Sequence, residues 1–153
     1  MIDRASRSRL AEALRHYVTG RITNDQLDGV EVDWRDRGAV AVQQMAWRLY
    51  DDLSVHYVED RLPPHSEGRT AVARWILFLH SGEEYLWPDY SFIQIVNWPM
   101  NLLTLGLWES WKRRRWEQFL EAGDFDAWPF RQRSALDRAV ARPRLLAGRS
   151  AAG

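Results

Sequence analysis

Arg37 to Asp60 reads RGAVAVQQMAWRLYDDLSVHYVED, and the placing of its apolar residues decides the fold class. Val42, Met45, Ala46, Leu49, Leu53 and Tyr57 recur at spacings of three and four, with Trp47 and Tyr50 beside them. A helix gathers such positions on one face, whereas a strand would divide them between two. The spacing therefore predicts one long amphipathic helix, about 35 Å at roughly 1.5 Å per residue. Pro63 and Pro64 break it, because proline lacks an amide donor and restricts the residue before it.

Working outward, Ser66 is placed to cap a helix over Thr70 to Ser81, whose Ala71, Val72, Ala73, Trp75, Ile76, Leu77, Phe78 and Leu79 are apolar nearly all round. That pattern predicts the central, buried helix, stopped by Gly82. Upstream, Leu10, Leu14, Tyr17 and Val18 predict a first helix over about Arg4 to Val18, ended by Gly20. Thr23 or Asn24 can then cap a short helix that Gly29 ends. Glu83 to Pro99 has no steady period and reads as an aromatic-rich loop or a short strand pair. A further helix is expected from Pro99 to about Ala122, stopped by Gly123, and a last one capped by Ser134 and ending near Ala141. The whole is a mainly α, single-domain helical bundle of about five to six helices over residues 1–146, with 147–153 a flexible tail.

Composition narrows the chemistry. The chain has 153 residues, 46% hydrophobic and 27% charged, as an ordinary globular domain does. Without cysteine it offers no disulfide, thiolate nucleophile or thiolate metal site. Its Met1 to Arg9 start is not followed by a signal-peptide apolar run, which leaves the cytoplasm as the default location. Net charge is zero, yet the charges are sorted: nine acids against four Arg from Ile22 to Leu62, ten bases against five acids from Lys112 to Arg149. Opposite poles of this kind can be satisfied within a fold or between molecules.

Over Leu10 to Asp28 the stretch LAEALRHYVTGRITNDQLD resembles the helix, Gly-x-Ile-Ser/Thr, helix hairpin of the bacterial SHOCT type, through Gly20, Ile22, Thr23, Leu27 and Asp28. The resemblance implies a local geometry and no activity. The chain as a whole resembles short bacterial proteins of unassigned activity.

Nine Trp residues supply the main functional signal. Trp108 and Lys112, and Trp111 and Arg115, stand four apart, so each cation can lie over an indole face. The segment Trp108 to Trp116, with Trp108, Trp111, Lys112, Arg113, Arg114 and Arg115, forms the candidate binding surface, with Trp128 and Phe130 near it. Trp and Arg bury much area with few rotamers lost, which is the chemistry of binding hot spots. The competing assignment places Trp108, Trp116, Phe119 and Leu120 in the core and Lys112 to Arg115 on a solvated face. A protein partner or a homo-oligomer, in which the acidic stretch Asp25 to Asp36 meets the basic pole, is the expected occupant.

Other classes have less support. KRRR with interleaved Trp could hold single-stranded nucleic acid, but a pI near 6.9 argues against it. Phe92 to Trp108 is uncharged, yet Gln94, Asn97, Pro99 and Asn101 argue against a membrane segment. Asp52, His56 and Asp60 could line one helical face, but no Glu-x-x-His pair accompanies them, and ion pairing is the simpler role. The sequence contains no Gly-x-Ser-x-Gly, dinucleotide fingerprint or phosphate loop, so no catalytic, metal or cofactor residue is assigned. The alternative to a binding protein is an enzyme built from scattered polar residues, for which Glu83 and Glu84 are the nearest candidates.

Overall fold

The computed structural model describes residues 1–49, 55–58, 66–88 and 107–142, and within the last span it leaves out the side chains of 107–110 and 112. Six α-helices and two short 3-10 turns make up the described chain, which contains no strand. The mainly α class stands. Glu83 to Pro88 is irregular and 89–106 lies outside the described residues, as does 143–153, so the segment Glu83 to Pro99 is described only in part.

Helix α1 spans Arg4–Val18 and starts where the Asp3 carboxylate accepts the amide of Ala5 at 3.0 Å. Its inner face carries Leu10, Leu14 and Tyr17, all fully buried. Gly20 adopts φ 68°, a left-handed turn that a side chain would strain. Thr23 then caps α2, Asn24–Asp28, with the reciprocal Gln26 bond of a capping box. Asp36 caps α3, Arg37–Ala46, and a 3-10 turn at Trp47–Leu49 follows.

Here the structure departs from the long helix expected up to Asp60. Val55 to Tyr57 is not helical: the His56 amide donates to Asn24 Oδ1 at 2.8 Å, and the His56 carbonyl accepts from Asn24 at 3.1 Å. Those two bonds tie the segment to the start of α2. They also reverse the expected faces, since Tyr57 is exposed and Val58 buried. Ser, Val, His and Tyr are indifferent helix formers, so a side-chain competitor such as Asn24 prevails. Leu53 and its neighbours at 50–54 lie outside the described residues.

Ser66 caps α4, Glu67–Ser81, through the Arg69 amide at 3.3 Å, and Gly82 ends it at φ 72°. Val72, Trp75, Ile76, Phe78 and Leu79 are buried, and α4 packs on α1, α3 and the last helix, which puts it at the centre. Helix α5 spans Leu107–Glu121, and after a 3-10 turn at Phe125–Ala127, α6 spans Arg133–Ala141. Ser134 does not cap α6. Gln132 occupies the cap position and makes no side-chain bond there, leaving Ser134 inside the first turn.

Candidate functional site

Helix α5 has two unlike sides. On the inner side Phe119 is fully buried, 4.9 Å from Trp87 and 5.7 Å from Trp116, with the Trp116 and Phe119 rings nearly parallel at 12°. Phe125 stands edge-on to all three rings. This stack anchors α5 to the core and leaves Trp116 half-buried at its margin. On the outer side Trp111 is 44% exposed, and the Arg115 guanidinium lies 5.0 Å from its ring centroid, one turn away as the spacing predicts. Arg114 is exposed one turn from Trp111, and Arg113, also exposed, points to another side of the helix. Two guanidinium groups and a half-open indole make an adhesive, cationic surface. The Trp108 and Lys112 side chains lie outside the described residues.

Trp128 and Phe130, expected near that surface, belong to the core instead. Trp128 is 2% exposed, 5.8 Å edge-on from Trp75, and its Nε1 donates to Tyr85 Oη at 3.3 Å. Phe130 packs 5.3 Å from Phe78. Two Trp of one segment thus separate because the turn through residues 124–130 folds back under α4, and composition alone does not distinguish an anchoring Trp from a presented one.

The structure adds a feature that periodicity did not indicate. Arg7 and Asp36 form a bidentate pair, Nε to Oδ2 at 2.7 Å and NH2 to Oδ1 at 2.9 Å, with side chains 2% and 1% exposed. Arg7 also donates to the Glu83 carbonyl at 2.8 Å and lies 4.9 Å over Phe78. Asp36 accepts the amides of Asp3, Gly38 and Ala39 as well. Burial pushes the Asp36 carboxyl up, but the bonds and charge of Arg7 and the Asp3 and Ala39 amides outweigh it and hold it below the ordinary value. One sequence signal was present: Asp36 directly precedes a helix, where an acid is an expected cap.

That pair fixes a turn whose tip is Trp34, 76% exposed and stacked by Arg35 at 5.3 Å. The Asp33 amide donates to Ser6 Oγ at 2.8 Å, and the amides of Arg35 and Asp36 both return to Asp33, each at 2.9 Å. Of the acidic stretch, Asp25, Asp28 and Glu31 are exposed and Asp33 is half-exposed, while the Asp36 charge is consumed by Arg7.

Glu83 and Glu84 border an open cleft of about 390 Å³ floored by Phe78, Phe130 and Ala135, and Arg131 and Arg138 also line it. A second cleft of about 300 Å³ shares Glu83 and Arg138 and adds Ser81 and Arg142. Both are open and lined by a mixture of charged and apolar groups, which is not the mostly apolar enclosure of a small-molecule site. His56, which could share a helical face with Asp52 and Asp60, is outside any helix, and the two Asp lie outside the described residues. Among the described residues no three His, Asp or Glu come together as metal ligands, and no helix is long and apolar enough to cross a membrane. No protein-family model, curated protein or solved structure matches the chain.

Proposed function

We propose that this chain is a cytoplasmic interaction protein that contacts a protein partner through the outer face of α5, centred on Trp111, Arg114 and Arg115. The observation that carries the proposal is an exposed indole under a guanidinium, held on a helix whose opposite side is locked by the stack of Trp87, Phe119 and Trp116. Rigid placement reduces the ordering cost of binding, so an aromatic and cationic patch on such a helix gives affinity at low entropic expense. A partner presenting carboxylates around an apolar contact would match it. Trp128 no longer contributes to this surface, and the hairpin resemblance of Leu10 to Asp28 adds no activity to it. The test is affinity capture with mass spectrometry, comparing the wild-type chain with a Trp111→Ala/Arg115→Glu variant. A companion retained by the wild type and lost by the variant is the expected result. A companion held equally by both would refute the assignment of this face.

A further inference from the structure

We infer that Glu84 to Leu86 is the open edge of a peptide-binding groove, where an extended segment of a partner protein docks as an added strand. From Glu84 to Pro88 exposed and buried residues alternate, with Tyr85 and Trp87 in the core and Glu84, Leu86 and Pro88 outside. A period of two is that of an extended chain. One edge of it is occupied, since the Glu83 carbonyl accepts from Arg7 and the Trp87 carbonyl from Arg37, each at 2.8 Å. Successive residues of an extended chain turn their main-chain groups to opposite edges, so Glu84 and Leu86 face away from those two arginines. No hydrogen bond from the described residues engages the amide or carbonyl of either.

Both residues line the cleft of about 390 Å³, together with Gln132 and Ala135 near the start of α6. This cleft shares no residue with the outer face of α5. An open cleft beside unpaired main-chain donors and acceptors fits a peptide backbone, which repeats the complementary groups at the same interval of about 7 Å. The side chains select the sequence. An antiparallel strand, the more stable pairing, sets one residue across from Leu86 and another across from Glu84, and exchanges two hydrogen bonds with each. Apolar pairs and opposite charges are favoured at such positions. Leu86 is 54% exposed, and Glu84 is exposed with no ion pair among the described residues. The other charges lining the cleft, Glu83 and Asp124 against Arg131 and Arg138, cancel, so Glu84 decides the sign. The occupant therefore reads apolar, any residue, Lys or Arg, in that order along its chain.

The full chain is panned against a displayed library of random short peptides, in parallel with a Glu84→Lys variant. Wild type should enrich the apolar, any, basic pattern, and Glu84→Lys should enrich apolar, any, acidic, a switch that a misfolded variant would not give. A synthetic peptide of the wild-type pattern should slow amide exchange at Glu84 and Leu86, which is fast in the free protein. Methylating the peptide nitrogens across from Glu84 and Leu86 should each weaken binding about 10-fold, and methylating the nitrogen between them should not. No enriched peptide, a preference indifferent to Glu84→Lys, or equal loss at the intervening nitrogen overturns the inference. Slow exchange of those two amides in the free protein also overturns it: the edge is then covered by a second copy if the protection grows with protein concentration, and by the chain itself if it does not.

Discussion

Replacing Asp36 by Asn tests the buried pair that supports the Trp34 turn. The substitution keeps shape and one carbonyl acceptor, so the amides of Gly38 and Ala39 retain a partner. An amide group now stands at one terminal position where an oxygen stood, and five donors that met a carboxylate, from Arg7, Asp3, Gly38 and Ala39, meet a neutral group with a single oxygen. Arg7 is left with its charge uncompensated at 2% side-chain exposure. Removing one partner of a buried pair costs about 3–5 kcal/mol, a large part of the roughly 5–15 kcal/mol that holds a domain of this size. At about 2–4 °C per kcal/mol, the melting temperature should fall by roughly 6–20 °C. Urea unfolding followed by Trp fluorescence at neutral pH measures the loss directly. The double variant Arg7→Met/Asp36→Leu removes both charges and should lose less than Asp36→Asn, with a remaining cost of about 1–3 kcal/mol from the lost cap and the amides of Asp3, Gly38 and Ala39 left without their acceptor. A loss below about 1 kcal/mol for Asp36→Asn, or an equal loss for the double variant, would refute the reasoning. Acid gives a second check. Because the folded-state carboxyl titrates below its unfolded value, its contribution is complete above about pH 4 and disappears as pH falls through the lowered value. The gap between wild type and Asp36→Asn should therefore narrow under acid.

Three further outcomes follow from the packing. His80 is held below its ordinary value by burial and by Arg15, so the unfolded chain binds its proton first, and stability should decline as pH drops below about 6.5; His80→Leu should flatten that slope in thermal melts across the range. A Cβ at Gly38 would come within 2.8 Å of Arg7 NH2 and 2.9 Å of Phe78 Cε1, so Gly38→Ala should destabilise by about 1–3 kcal/mol in the same urea assay, against the usual helix preference for Ala. Thr23→Ala removes the capping box of α2 and should cost about 1 kcal/mol, with amide exchange rising first over Asn24–Asp28.

The elements that local chemistry determines were legible in the sequence. Helix α1 and the Thr23 and Ser66 caps sit where apolar spacing and short polar side chains place them, and Gly20 and Gly82 take the left-handed turns expected of them. What failed was decided by tertiary competition. The stripe from Val42 runs true as far as Met45 and Ala46, but Asn24, distant in sequence, captures His56 and keeps the segment around it out of a helix. Arg7 gave no signal, because one Arg on a helix is ordinarily solvated and only a fold that brings Asp36 beneath it makes it a core residue. The Trp111 and Arg115 pairing was readable from their spacing, since both partners lie on one helix. The burial of Trp128 was not, because it depends on Trp75 and Tyr85, contributed by distant parts of the chain.

Iodide quenching of Trp fluorescence addresses the exposed, cationic character of the α5 face most directly. Iodide is drawn to the Arg cluster, so Trp111→Phe should remove a strongly quenched component, whereas Trp128→Phe should leave the quenched fraction intact. Quenching that is unchanged by Trp111→Phe, or that falls with Trp128→Phe, would contradict the account.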